Sequence, residues 1–157
     1  MNKTVYGTGI PGAKSGFTLV ELLVSVSVVA VACVCILGAV LSTMYLNRLS
    51  SEYSLAKNAC VREAEIISQD IFFNVVADYN NTTFAVTGLP SAVGVAYVSN
   101  ANPDLLQVWI SVCWRQLGSR VIGEDQNLNG IPEASEDTNN NGRIDSPVQL
   151  TFLMSAR

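Results

Sequence analysis

Oxygen-bearing side chains recur at every second position in one short stretch of this chain: Asp125, Asn127 and Asn129, followed by Gly130 and, further on, Glu136. The alternation suits a hard cation. A chain coiled around an ion can point every second oxygen inward, and a glycine permits the sharp turn. In such a loop Ile131 offers its backbone carbonyl, Glu133 a water-bridged contact and Glu136 a bidentate carboxylate. Calcium is the expected ion. Asp137, Asn139, Asn141, Gly142 and Asp145 then repeat the pattern, with Arg143 in the carbonyl position held by Ile131 in the first copy. Val148 stands where the second copy should close with an acid, so the first copy is the complete one.

The competing reading is a polar turn region that binds nothing. Length argues against it, because a loop of about 30 residues without secondary structure is uncommon in a compact domain unless something fixes it. Pro132 lacks the N–H that paired EF loops use at that place, and no helical pattern flanks either copy. The two copies therefore resemble the tandem Asp/Asn-rich calcium repeats of extracellular proteins more than an EF-hand pair.

Other chemistry is largely excluded. The chain has no histidine, which removes a Ser-His-Asp triad, a Cys-His pair and any His-ligated metal. Cys33 and Cys35 fall inside an apolar run and read as small hydrophobes. The formal net charge of −4 argues against a nucleic-acid partner, which needs a basic stripe. No acid-base or nucleophile constellation is visible, so an enzyme is not expected.

One further acid stands out. Gly16-Phe17-Thr18-Leu19-Val20-Glu21 opens an apolar run that lasts to about Leu46, and Glu21 is the single charge within it. Roughly 20 uncharged residues follow Glu21, enough at ~1.5 Å rise to span the ~30 Å of a bilayer core. A carboxylate near the end of such a helix is costly unless a partner answers it. The small and turn-forming residues Gly7, Gly9, Pro11, Gly12, Ser15 and Gly16 precede the apolar core, where an ordinary secretory signal places its small cut site after it. A cut at Gly16 would keep the whole hydrophobic helix and take the net charge from −4 to −6, since the residues removed hold Lys3, Lys14 and no acid.

This order of basic leader, glycine, phenylalanine, acid at the fifth place and unbroken apolar helix resembles the N-terminus of type IV pilins and type II secretion pseudopilins, the prepilin signal. The resemblance implies cleavage between Gly16 and Phe17 by a prepilin peptidase that also acts as N-methyltransferase on Phe17. It implies as well that Glu21 pairs with the terminal amine of a neighbouring subunit. Residues 1–16 would be the leader, 17–46 the transmembrane and polymerisation helix, and 47–157 a periplasmic pilin-like domain carrying the Asp/Asn-rich loop 123–147. The leader lysines would hold that end in the cytoplasm. The competing reading is a plain signal anchor with a chance acid in its first turn.

The elements that must carry these residues follow from periodicity. Leu49, Tyr53, Ala56, Cys60, Ala64, Ile67, Ile71 and Val75 fall at steps of three and four, one stripe of a helix. With no proline between Phe17 and Asp78, a single helix of nearly 60 residues is expected, its outer half laid on a sheet. A short coiled coil is the other use of such a stripe. Strands are expected over 83–87, 93–99 and 105–117, and a last one carrying Val148, Leu150, Phe152 and Met154 should pair antiparallel with 105–117 so that the acidic loop caps the hairpin. Leu106, Val108, Ile110, Val112 and Trp114 should face the helix. Cys113 then lies on the face away from Cys60, so the two should be free thiols. Trp109, on the more polar face, is left either to a neighbouring subunit or to packing under a loop.

The expected fold is thus α+β and pilin-like: a long N-terminal transmembrane helix packed on a small antiparallel sheet. The expected role is a structural subunit, a minor pilin or pseudopilin, held in the bacterial inner membrane before assembly with other subunits. The competing class is a membrane-tethered calcium-binding or adhesive domain that does not polymerise.

Overall fold

The computed structural model describes residues 16–89, 91–116 and 119–156. The leader expected over 1–16 lies outside the described residues except for Gly16. The chain divides into two units at Tyr45 and Leu46.

A helix, α1, runs over Leu19–Gln69. Its start is fixed locally: the Thr18 hydroxyl accepts the Glu21 N–H at 3.2 Å, the side-chain bond of a helix N-cap. Within the N-terminal unit every described side chain is exposed, Leu22, Val26, Val29, Leu37 and Leu41 among them. The helix is long and apolar enough to cross a membrane by length and composition.

In the second unit the stripe on α1 becomes a core face. Ala56, Cys60 and Ile67 are buried and join sheet residues Val98, Leu106, Val108, Ile110, Val112 and Trp114 in one cluster, with Tyr53 and Ala64 packed against it. The stripe is therefore a helix-to-sheet contact and not a coiled-coil seam. Trp114 is fully buried, meets Tyr53 edge-on at a centroid distance of 5.0 Å and donates its indole N–H to Glu52 Oε2 at 3.4 Å. Glu52 thus reaches the buried indole of the central strand, and Arg48 holds its other oxygen at 3.2 Å.

The single helix of nearly 60 residues expected from the sequence is divided in two. The first part, α1, ends at Gln69, and a separate helix, α2, covers Phe72–Tyr79. Asp70 makes the break. Its Oδ1 accepts the Ile71 N–H at 2.7 Å, while Ile71 takes extended dihedrals (φ −71°, ψ 124°). Its Oδ2 accepts the Tyr79 hydroxyl at 2.9 Å and so ties the far end of α2 to the joint. A short acid that bonds nearby main chain offers the backbone an alternative to the helix ladder. The joint also turns Ile71 off the stripe, leaving it 64% exposed, while Val75 is buried.

Among the described residues five strands form one antiparallel sheet: β1 Thr82–Ala85, β2 Ala92–Asn102, β3 Leu105–Arg115, β4 Val121–Ile122 and β5 Gln149–Ser155. The central strand β3 has β2 along one side, while β4 and β5 share the other. Register pairs Ala96 with Ile110 across β2–β3 and Ile110 with Leu150 across β3–β5, so the apolar set of each strand arrives on the helix face. The expected pairing of the last strand with 105–117 is present. The loop between them, however, begins with a strand of its own: β4 pairs Ile122 with Trp114.

Candidate functional site

The loop from Gly123 to Pro147 lies over the sheet face opposite α1. Ile144 is buried with Val95, Tyr97 and Cys113, and Leu128, Val93 and Trp109 pack around them. The anchoring is polar as well as apolar. The Ile144 N–H donates to the Tyr97 hydroxyl at 2.9 Å, and its carbonyl accepts the Ser111 hydroxyl at 2.6 Å. Ser146 donates its own hydroxyl to the Val112 carbonyl at 2.6 Å. Burial pushes the Tyr97 phenol above its ordinary value, so it is present here as the neutral hydroxyl. Trp109 packs under this loop, with the Arg143 guanidinium 4.2 Å from its ring centre.

The two Asp/Asn-rich copies have the same internal bonding. In the first, Asp125 Oδ1 and Oδ2 accept the N–H groups of Asn129 (3.1 Å) and Gly130 (2.7 Å). Asn127 Oδ1 accepts from Asn129 N–H, and Asn129 Oδ1 from Ile131 N–H. Glu133 Oε1 takes the side-chain amides of Asn127 and Asn129 at 3.2 and 3.0 Å. The second copy repeats each bond: Asp137 to Asn141 and Gly142, Asn139 to Asn141, Asn141 to Arg143, and Asp145 Oδ2 to the amides of Asn139 and Asn141. The turns depend on glycine at corresponding places, with Gly130 at φ +76° and Gly142 at φ +73°.

The copies differ in depth. Asp125 is fully buried and Gly130 lies against Thr83 of β1, whereas Asn139, Asn140, Asn141 and Gly142 are exposed. They also differ in closure. Glu136 folds back on the first copy, Oε1 accepting the N–H groups of Gln126 (3.1 Å) and Asn127 (3.2 Å). Val148, which follows the second copy, packs instead against the helix-side core. Glu124 reaches the second copy: its Oε1 accepts the Thr138 N–H at 3.3 Å and its Oε2 the Asp145 N–H at 3.0 Å. A count of residues within one loop could not find this acid. The signal was the repeated Glu-Asp pair, with Glu124 directly before Asp125 as Glu136 is directly before Asp137.

Two observations bear on whether an ion fits. Among the described residues no three His, Cys, Asp or Glu side chains are gathered into one metal-holding group, so an ion here would draw on asparagine and main-chain oxygens too. Glu136 Oε2, by contrast, is shut off from solvent and meets no hydrogen-bond donor, although its sister oxygen takes two. A buried carboxylate oxygen left without a partner is costly, and a cation would satisfy it. The donor set is oxygen throughout, which suits calcium.

At the other candidate site Thr18 caps the helix and places Glu21 in its first turn. Phe17 is exposed. The cysteines behave as their alternation suggests. Cys60 lies in the helix-side core and Cys113 on the loop side; both are free thiols, each pushed by burial up to about 11.

Residues 12–37 match a family model described as the prokaryotic N-terminal methylation motif, the prepilin signal of type IV pilins and pseudopilins. The matched stretch ends within the apolar part of α1. No curated protein and no solved structure matches the chain.

Proposed function

We propose that this chain is a non-catalytic filament subunit of the type IV pilus or type II secretion pseudopilus class, a minor pilin or pseudopilin. The observation that carries the reading is the prepilin signal at residues 12–37, which supports a protein of this type and runs without a break into an apolar helix of membrane-crossing length. Prepilin peptidase cuts between Gly16 and Phe17 and methylates the new terminus. The protein then waits in the inner membrane with residues 47–157 on the periplasmic side. Glu21 supplies register: in hydrocarbon an unanswered carboxylate is penalised, and the terminal ammonium of an adjacent subunit relieves it.

In the same reading the Asp/Asn-rich loop binds calcium. The first copy uses Asp125, Asn127, Asn129, the Ile131 carbonyl, Glu133 and Glu136. The second uses Asp137, Asn139, Asn141, the Arg143 carbonyl and Asp145. The unpartnered Glu136 oxygen supports this, as do the matching turns of the two copies.

One observation favours the other class, a tethered calcium-binding or adhesive domain that never polymerises. With Thr18 as cap, an acid at the position of Glu21 suits a helix N-terminus without any neighbour. Glu21→Ala separates the two. As a subunit, the variant should insert in the membrane as the wild type does but be lost from sheared or detergent-resistant filaments. Intact-mass measurement of the native protein is the companion test and should find an N-methylated Phe17 terminus. A mature protein retaining Met1, or filament incorporation untouched by the substitution, would overturn the proposal.

A further inference from the structure

We infer that the outer edge of β5 is an addition site for an extended segment of another protein, one that carries apolar side chains four positions apart. The inference goes beyond the filament reading, and its test leaves Glu21 and the Asp/Asn-rich loops untouched.

The direction of the main-chain groups in β5 follows from one bond. The Val112 N–H donates to the Val148 carbonyl at 3.2 Å. In an antiparallel ladder the N–H and C=O of one residue point to the same side, and successive residues alternate. Leu150, Phe152 and Met154 therefore bond β3, while Gln149, Thr151, Leu153 and Ser155 turn their main-chain groups outward. These outward groups meet no main-chain partner among the described residues.

A strand left in that state is a template for another, and proteins ordinarily blunt it with a charge, a proline, a bulge or a cover. The β5 edge has none of these. Its seven residues include no charged side chain and no proline. Its register against β3 is unbroken from Gln149 to Ser155, and the four outward residues are exposed. The opposite edge of the sheet is guarded. There β1 has only four residues, the Arg62 guanidinium donates to the Ala85 carbonyl at 3.3 Å, and the first Asp/Asn-rich loop lies against Thr83 at Gly130.

Two hollows beside the open edge describe the side chains of the occupant. One, of about 440 Å³, lies between α1 and the start of β5 and is lined by Tyr53, Lys57 and Leu150. The other, of about 480 Å³, lies between the helical joint and the end of β5, against Ile71, Phe73 and Met154. Leu150 and Met154 share the helix-side face of β5, so the residues opposite them on an added strand stand four apart and point to that same side. Main-chain bonds then supply affinity and the hollows select side chains.

A second copy of this chain fits less well. An antiparallel pair of β5 strands is related by a two-fold axis perpendicular to the sheet, which reverses the helix packed on that sheet. Two chains anchored in one membrane by α1 do not meet in that way, and a head-to-tail contact would need the guarded edge at β1.

The test uses the full-length chain in detergent micelles. The probe is a peptide of alternating threonine and leucine about nine residues long, enough to overlap the strand. Hydrogen exchange followed by NMR should find the amides of Gln149, Thr151, Leu153 and Ser155 fast in the free chain and slowed by the peptide. A peptide N-methylated at alternate residues, which cannot donate, should not slow them. Thr151→Pro removes one outward N–H and no bond to β3, and should weaken peptide binding on the order of tenfold. A thermal melt checks its fold; if it does not fold, Leu153→Lys, at an exposed position, should weaken binding instead. Outward amides already protected in the dilute free chain, no binding of the peptide, or equal binding by the wild type and the folded edge variant would overturn the proposal. Protection that rises with the concentration of the chain alone would assign the edge to a second copy and overturn it as well.

Discussion

Gly130 and Gly142 occupy the same place in the two loops and share a left-handed backbone, but their surroundings separate them. A Cβ on Gly130 would come within 2.3 Å of Thr83 Cγ2 and 3.3 Å of Val93 Cγ2, while one on Gly142 would meet nothing within 4 Å. Gly142→Ala should therefore cost only the backbone penalty of a left-handed L-residue, about 1–2 kcal/mol. Gly130→Ala should cost more, because the first loop must also lift from β1. Urea melts of both variants in chelator give the comparison without any contribution from bound ion. Equal losses would mean that the first loop does not rest on the strand as described. The same contrast explains what was legible at this scale: the spacing of Asp125, Asn127, Asn129 and Glu136 marks the first loop from sequence alone. The contacts of Glu124 were not legible, since its partners Thr138 and Asp145 lie well along the chain and only folding of the loop brings them together.

At the scale of elements, the helix stripe and the alternation in β3 carried most of the architecture. Ala56, Cys60, Ile67 and Val75 are buried as their spacing requires, and Leu106, Val108, Ile110, Val112 and Trp114 all face them from the sheet. What periodicity could not show was the joint at Asp70. The apolar spacing persists across it, and one side-chain hydrogen bond to Ile71 N–H decides the matter. Nor could it show that the loop covers the second face of the sheet, because Ile144 lies far along the chain from Tyr97 and Trp109. The joint has a titration signature. The hydrogen bond to Asp70 is the main cause holding the Tyr79 phenol above its ordinary value of 10.0, with burial and the neighbouring acids Asp70, Asp78 and Glu63 adding to it. A raised folded-state value means that this stabilisation is complete below pH 10 and is lost as pH climbs through the folded value. Asp70→Asn should move one tyrosine of the ultraviolet alkaline titration downward and cost about 1 kcal/mol at neutral pH. Above pH 10 the stability gap between wild type and variant should narrow. An unmoved titration would show that Asp70 does not hold Tyr79.

At the scale of the whole molecule, the chain is acidic overall, with a formal net charge of −4, and concentrates six carboxylates between Glu124 and Asp145. That segment is not a free appendage. Ile144 is tied to Tyr97 and Ser111, Ser146 to Val112, and β4 to the end of β3. The loop therefore forms the second wall of the sheet, and its cohesion should feed directly into the stability of the unit it covers. Under the calcium reading, an ion that binds only the folded loop adds RT ln(1 + [L]/Kd), about 2.7 kcal/mol per site at a hundredfold excess over Kd. For a unit of this size that is an upward shift in Tm of roughly 10 °C. The measurement is thermal unfolding of the full chain in detergent, in chelator and in excess calcium, with magnesium at equal ionic strength as control. Magnesium prefers stricter octahedral geometry and keeps its water, so it should raise the midpoint far less. Trp109, stacked beneath Arg143, gives a second readout: its emission should change on calcium addition below the melting range, while buried Trp114 on the opposite face stays constant, so Trp109→Phe should abolish the change. Magnesium and calcium acting alike would reduce the effect to general screening of the acidic loop. No shift with either ion would remove calcium from the account and leave the helix-borne assembly function to stand on the N-terminal signal.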